Sequence, residues 1–127
     1  DGDVLAEEMD SYNFKGVAFE SINFTPTSVT SPSNPPKYVG EQCSGVYIKV
    51  TDKNTFDPVR VGIALIVSLN KLFPQFEIKE NNFIDKLAGT TDLRVMVSNG
   101  SSYNEIIKSY SNSLNEFYKT REKYLLY

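Results

Sequence analysis

Among the side chains that most often act as acids, bases or metal ligands, this 127-residue chain has sixteen Asp and Glu residues and one cysteine but no histidine. Without histidine the commonest general base and the commonest metal ligand are missing, which nearly excludes zinc sites and Ser-His or Cys-His catalysis. The lone Cys43 also excludes a disulfide within the chain. A stand-alone hydrolase could use a pair of carboxylates, one acting as acid and one ionised.

The acidic residues do not form a convincing pair. Glu20 lies in a predicted strand and Glu41 lies in a long loop beside Gly40, and a solvated carboxylate is the alternative to a catalytic one at both positions. Asp52 and Asp57 bracket a polar segment, but the glycine turn and distal glutamate of a calcium loop are missing. A turn and a helix cap explain this second pair better. We therefore predict no catalytic residue, no metal site and no cofactor.

Charge and hydropathy exclude two classes of partner. The net charge is -3 and the pI is near 4.9, and the thirteen Lys and Arg residues form no basic stripe, so nucleic acid is not an expected ligand. No apolar run approaches the roughly 20 residues of a membrane-spanning helix. The opening residues carry no signal-peptide pattern, so we expect an exported parent protein to carry its signal upstream.

The elements that position these residues follow from periodicity and capping signals. Asp3 is the predicted cap of the first helix, Asp57-Pro58 starts an apolar central helix, and Ser102 to Glu105 has the spacing of a capping box. The predicted helices cover about 3–12, 59–73, 83–88, 91–99 and 103–124, and the predicted strands cover 17–24, 46–50 and 75–79.

Strands and helices mix without a repeating βα unit, which favours an α+β fold in which helices pack on a small, largely antiparallel sheet. One domain over residues 1–127 is expected. A long loop over residues 25–44 holds four of the six prolines. Because loops of that length are usually functional or disordered, it is the first place to look for a binding site.

Several segments, taken in order, resemble the C-terminal domain of the NamZ family of exo-β-N-acetylmuramidases. They are GVAF at 16–19, FTPT at 24–27, KYVGEQCSGV at 37–46, VTD at 50–52, FDPVRVG at 56–62, FIDKLAG at 83–89 and REKYLLY at 121–127. Residues 28–36 depart from the pattern, because this connection looks longer than in many relatives. The resemblance therefore covers nearly the whole chain and rests on the order and spacing of the segments.

The resemblance implies that this chain is an accessory domain of a larger two-domain enzyme. A Rossmann-like catalytic domain would precede it in the same polypeptide, with the substrate cleft between the two domains. The implied activity removes non-reducing terminal N-acetylmuramic acid from peptidoglycan fragments during cell-wall recycling. The implied location is extracytoplasmic, either periplasmic or secreted.

The same resemblance directs attention to the segment 37–45 as the substrate-binding part of the chain. Tyr38 would stack on or hydrogen-bond a sugar, Gly40 and Gly45 would permit close backbone approach, and Glu41 lies between them. Arg60 would meet the muramic lactyl carboxylate as a bidentate donor. A salt bridge to a nearby acid is the alternative role for this arginine.

Two further hypotheses stay open at this stage. In the first, the chain is a non-catalytic glycan-binding or protein-interaction module. In the second, it is an independent small hydrolase. The missing histidine and the weak carboxylate pairs argue against the hydrolase. Two packing predictions are also made: Leu65 lies in the core of the central helix, and Cys43 is a buried, unreactive plug beneath the loop.

Overall fold

A computed structural model describes residues 1–27, 37–79 and 83–125. It divides into two compact units, Asp1–Ser68 and Leu69–Tyr127. The elements are α1 (Gly2–Ser11), β1 (Val17–Phe24), β2 (Cys43–Val50), α2 (Pro58–Leu72), α3 (Phe83–Ala88), α4 (Asp92–Ser98) and α5 (Tyr103–Glu122). Helices with a two-stranded antiparallel sheet confirm the predicted α+β class.

The sheet of the first unit is a long antiparallel pair whose register runs from Val17 opposite Val50 to Phe24 opposite Cys43. Residues directly opposite each other share a face of the sheet. Helix α1 packs against both strands. The predicted strand over 46–50 is confirmed, but its apolar residues are less covered than its alternation indicated, since Ile48 and Val50 are both exposed.

The N-cap of helix α1 lies two residues earlier than predicted. The Asp1 carboxylate accepts hydrogen bonds from the backbone N–H groups of Asp3 at 3.0 Å and Val4 at 3.4 Å, so Asp1, and not Asp3, is the cap. The buried face of this helix carries Leu5 and Met9, as the spacing of four residues predicts.

Helix α2 begins where Asp57-Pro58 predicts. The Asp57 carboxylate accepts a hydrogen bond from the backbone N–H of Arg60 at 3.0 Å, which satisfies one of the free donors of the first turn. The side chain of Leu65 is only half-buried, so the prediction that it lies in the core is wrong. The buried apolar positions of this helix are Val61, Ile63, Ala64 and Val67.

Ser68 shows how a buried polar side chain is satisfied in the first unit. It is fully buried, and its hydroxyl donates a hydrogen bond to the Tyr12 hydroxyl at 3.4 Å. The Tyr12 ring stacks on Phe14 with ring centroids 5.5 Å apart. The turn that follows α1 is therefore joined to α2 by a polar contact as well as by packing.

The second unit is helical where it is described. A buried apolar set from α4 and α5 consists of Leu93, Val97 and Ile106. The predicted strand over 75–79 is wrong: Phe76 N–H donates to the Phe73 carbonyl at 2.8 Å, closing a turn at Pro74, and the residues after it are irregular. An alternating pattern that contains only two apolar side chains is too short to specify a strand there.

Helices α3 and α4 are joined by a bidentate ion pair. The Arg94 guanidinium contacts the Asp85 carboxylate through Nε at 3.0 Å and through Nη2 at 3.0 Å. Hydrogen bonding to Asp85 raises the pKa of Arg94 above its ordinary value. Because the planar guanidinium matches a carboxylate in two parallel hydrogen bonds, the pair links α3 to α4 with a defined geometry.

Helix α5 starts with the predicted capping box. Ser102 Oγ accepts from Glu105 N–H at 3.3 Å, and the Glu105 carboxylate accepts from Ser102 N–H at 2.8 Å and from the Ser102 hydroxyl at 2.7 Å. The expected amphipathic helix of about five turns is confirmed, since α5 spans 20 residues. Its last turn carries Lys119 and Arg121, which complement the helix dipole.

The capping box predicts a pH dependence of stability. Hydrogen bonds from Ser102 lower the pKa of Glu105 below its ordinary value, so the ionised form is favoured in the folded state. Its contribution is present above the unfolded-state pKa and is lost as the pH falls through the folded-state pKa. We expect Glu105→Gln to remove this part of the acid-induced loss of stability, measured by urea unfolding between about pH 3 and pH 7.

Glu116→Gln is the matched control, because Glu116 is an exposed acid farther along the same helix. An identical flattening of the pH profile in both variants would contradict the assignment of the effect to the capping box.

Candidate functional site

The segment that the sequence singled out forms a tight, exposed turn before β2. Gly40 N–H donates to the Pro26 carbonyl at 3.0 Å, and Glu41 N–H donates to the Tyr38 carbonyl at 3.0 Å. The first bond ties the turn to the residues that follow β1. Tyr38, Gly40 and Glu41 are therefore held together on one turn; we call residues 37–41 the Tyr38 turn.

Tyr38 itself has an unusual backbone conformation. Its φ angle is +59°, in the left-handed region, and its side chain is 62% exposed. A β-carbon in this region is unfavourable, which is why glycine and asparagine predominate there. Gly40, at φ +79°, has no such penalty. The turn thus carries a large aromatic side chain at a position where the backbone favours a small residue.

Gly45 lies in β2, and its missing side chain is used within the fold. A β-carbon at this position would lie 3.2 Å from the Phe24 ring, which lies across the bare backbone. Gly2 of α1 also approaches closely: its N–H donates to Ser44 Oγ at 2.9 Å, and a β-carbon on Gly2 would collide with the Gly45 carbonyl. The close approach expected of a substrate at Gly45 is made here by protein groups.

The sequence analysis did not single out Phe24 as part of this region. Its ring is exposed and lies at the end of β1 that adjoins the Tyr38 turn, opposite Cys43. An aromatic residue diagonally across an antiparallel pair from a glycine is the signal that would have identified it.

Cys43 is less enclosed than predicted. Its side chain is half-buried, and its thiol contacts the Glu41 carbonyl at 3.7 Å. The prediction of a buried plug is therefore wrong in its extent, because Cys43 is only partly covered. The contact still joins the Tyr38 turn to the first residue of β2.

Arg60 lies apart from the Tyr38 turn. It is in the first turn of α2, which follows the opposite end of β2, and its Nε lies 3.4 Å from an Asp57 oxygen. Both side chains are more than half exposed, so the pair contributes little to stability. The ion pair that the sequence left open as an alternative is present, and Arg60 is held at the start of the helix by it.

Several carboxylates have structural partners in the described residues. Asp1 caps α1, Asp52 accepts from Asn54 N–H and from the Thr55 hydroxyl, and Glu20 forms a cross-strand ion pair with Lys49 at 3.2 Å. Of the four acids weighed in the sequence analysis, Glu20, Asp52 and Asp57 thus have hydrogen-bond or ion-pair partners, and Glu41 is exposed on the Tyr38 turn.

A second concave region lies within the helical unit. This open pocket is lined by Asn70, Phe76, Glu77, Ile78, Lys79, Arg94 and Ser98, and the sequence analysis did not identify it. Across the ranges 1–27, 37–79 and 83–125, no three acidic or cysteine side chains come together as metal ligands would. No helix in the described part of the chain has the length and apolar character needed to span a bilayer.

The fold and the exposed turn define the class of this protein as an α+β domain with an aromatic residue, Tyr38, on a surface turn. The chain belongs to the family "Exo-beta-N-acetylmuramidase NamZ, C-terminal", whose model matches residues 1–127. This confirms the family predicted from the sequence.

Two relatives extend this assignment. The chain is 39% identical over 124 residues to the peptidoglycan β-N-acetylmuramidase NamZ of Bacillus subtilis strain 168, covering 97% of this chain and 28% of that protein. It also resembles the crystal structure of a DUF1343 family protein from Bacteroides fragilis, with a TM-score of 0.77 at 19% identity, covering 100% of this chain and 33% of the other. The chain thus spans about a third or less of these relatives.

Proposed function

We propose that this chain is the accessory C-terminal domain that completes the substrate cleft of a peptidoglycan-recycling exo-β-N-acetylmuramidase, which removes non-reducing terminal N-acetylmuramic acid. In this proposal the catalytic carboxylates belong to a preceding domain of the same polypeptide. The Tyr38 turn forms one wall of the cleft and contacts the glycan.

The family match is the first support for the proposal. A C-terminal family model matches residues 1–127, and the Bacillus subtilis relative, named for its action on peptidoglycan, is matched over only 28% of its length. A chain of this kind acts as one part of a longer protein. The structural partners of Asp1, Asp52, Asp57 and Glu20 support the location of the acid–base pair outside it.

The backbone of Tyr38 is the single observation that carries the binding role. A non-glycine residue in the left-handed region costs about 1–2 kcal/mol, and residues held there are concentrated at functional sites. Tyr38 is in that region and is also largely exposed, so packing does not repay the cost. An aromatic ring on a fixed turn offers a rigid face for a sugar, with a hydroxyl at its edge.

We expect Tyr38→Gly in the full-length enzyme to lower kcat/KM for a chromogenic N-acetylmuramide about tenfold, the loss of about 1.4 kcal/mol of transition-state binding. The same substitution should leave the free energy of unfolding unchanged or slightly higher, because glycine relieves the left-handed backbone. Steady-state kinetics and urea unfolding on the same preparations measure the two effects separately.

Asn13→Gly is the matched control. Asn13 also has a positive φ, of +54°, but it lies in the turn after α1, so its replacement should change neither kinetic parameter. Unchanged kcat/KM for Tyr38→Gly would contradict the binding role of Tyr38.

The accessory role is tested with the chain by itself. We expect the 127-residue chain to release no chromophore from the same N-acetylmuramide. Sustained turnover that is abolished by replacing one of its own carboxylates would overturn the accessory role. Glycan binding in a full-length protein that has no muramidase activity would instead favour the non-catalytic binding module.

The proposed substrate also implies a location. Peptidoglycan fragments are generated at the wall, so we place the full-length protein outside the cytoplasm, with its export signal upstream of this chain. Fractionation of the source bacterium, with an antibody against this chain, tests the location. Recovery only in the cytoplasmic fraction would overturn it.

A further inference from the structure

The apolar face of α5 is covered at its beginning and open farther along. Ile106, near the start of the helix, is fully buried, whereas Leu114, Phe117 and Tyr118 are 46%, 59% and 47% exposed. At 100° per residue these three side chains lie within about 100° of one another around the helix axis. We call Leu114, Phe117 and Tyr118 the α5 stripe.

The α5 stripe has the composition of a contact surface and not of a solvated helix face. The Phe117 and Tyr118 rings are 6.2 Å apart and tilted by 52°, while Asn112, Glu116 and Lys119 occupy the opposite side of the helix. Half-exposed side chains of this size leave about 300 Å² of contiguous surface, since each large aromatic buries about 150–250 Å². Patches of this kind are often functional.

The size of the stripe indicates what kind of partner covers it. A stable interface between free proteins needs about 800 Å² from each partner, more than these side chains supply. A covalently tethered partner needs much less, because tethering gives an effective concentration in the mM range. The two relatives have about two thirds or more of their sequence outside the part matched by this chain. A domain formed by such sequence would be a covalently tethered partner of this one.

We propose that the α5 stripe is the surface on which the preceding part of the same polypeptide docks. The inference rests on the proposed function, in which a catalytic domain precedes this chain. It specifies the partner's chemistry: an apolar patch that receives the two rings, with an acidic group facing Arg121, the cation in the last turn of α5 that lies on the same side of the helix as the stripe.

Site-specific photo-crosslinking in the full-length protein tests the docking. Tyr118 is replaced by the photo-crosslinker p-benzoylphenylalanine, and crosslinked peptides are identified by mass spectrometry. We expect crosslinks within one polypeptide, from position 118 to residues upstream of Asp1. The same photo-crosslinker at Glu116, on the opposite side of the helix, should give none, and adding Phe117→Asp should abolish those at position 118.

Each other outcome overturns the docking. Crosslinks between two polypeptides would show that the stripe joins copies of the protein, and crosslinks only to residues 1–127 would show that this chain covers it. Absence of crosslinks would show that it faces solvent. Because muramidase activity is not the readout, failure of the docking is distinguishable from failure of the proposed function, which the Tyr38 kinetics test.

Discussion

Gly16→Ala is expected to lower the free energy of unfolding by about 3 kcal/mol or more. Gly16 has a φ angle of +73°, and left-handed backbone costs a residue with a β-carbon about 1–2 kcal/mol. That β-carbon would also collide with the Asp52 carbonyl and would lie 2.8 Å from Phe56 N. Overpacking against backbone atoms adds about 1–3 kcal/mol, since backbone cannot move aside as a side chain can.

The position of Gly16 explains why the collision cannot be relieved. Its carbonyl accepts hydrogen bonds from Thr51 N–H at 2.9 Å and from Asp52 N–H at 3.2 Å, so the start of β1 is fixed against the segment that follows β2. Moving either segment away would break these bonds. Urea unfolding of the purified chain, monitored by circular dichroism, measures the change.

Alanine substitutions at two other glycines separate the cost of the left-handed backbone from the cost of the collision. Gly89→Ala retains the backbone penalty, at φ +71°, without a collision, because no described atom lies within 4 Å of a β-carbon there; it should cost about 1–2 kcal/mol. Gly62→Ala, in the interior of α2 and also without a described neighbour within 4 Å, should stabilise by about 0.5–1 kcal/mol. Equal costs for Gly16→Ala and Gly89→Ala would contradict the collision.

Met9→Ala is expected to destabilise the first unit by about 2–5 kcal/mol, the range for truncating a large apolar side chain in a core. Met9 is fully buried on the face of α1 that packs against β1 and β2. Removing its side chain leaves a cavity in the core of the first unit. A lower urea midpoint with an unchanged slope is the expected measurement.

Val4→Ala on the same helix is the control. Val4 is 43% exposed, so truncation should cost less than about 1 kcal/mol. Similar losses at the two positions would show that the buried face of α1 is assigned wrongly.

Local signals in the sequence predicted most of the elements because each signal acts within a few residues. The capping box at Ser102 and the Asp57-Pro58 start of α2 specify backbone hydrogen bonds close in sequence, and both appear as predicted. The strand predicted over 75–79 failed because alternation over so few residues does not distinguish a strand from an irregular segment.

Properties that depend on long-range packing were harder to predict. Leu65 lies in a helix that is apolar on every side, and a one-dimensional pattern cannot indicate which of its sides is buried. The prediction for Cys43 rested on the tendency of free cysteines to be buried, whereas this cysteine is half-buried in the structure. The composition of the Tyr38 turn was visible, whereas the left-handed conformation of Tyr38 is seen only in three dimensions.

In the candidate site too, features that depend on neighbouring residues were predicted and features that depend on long-range packing were not. Tyr38, Gly40 and Glu41 are neighbours in sequence and are neighbours in the structure. Arg60 was added through the family resemblance, and the structure pairs it with Asp57 beyond the other end of β2. The relation between Gly45 and Phe24 depends on the register of two strands, which the sequence did not specify.

The contact between Phe24 and Gly45 helps to specify the register in which β1 and β2 pair. A slip of two residues keeps every side chain on its own face of the sheet, so the hydrophobic pattern alone does not reject it. In the native register the Phe24 ring lies over the bare backbone of Gly45. After a slip in either direction the ring would meet the side chain of Cys43 or of Tyr47 instead. The glycine therefore distinguishes the native register from both slipped ones, because only in the native register does the Phe24 ring lie over backbone instead of over another side chain.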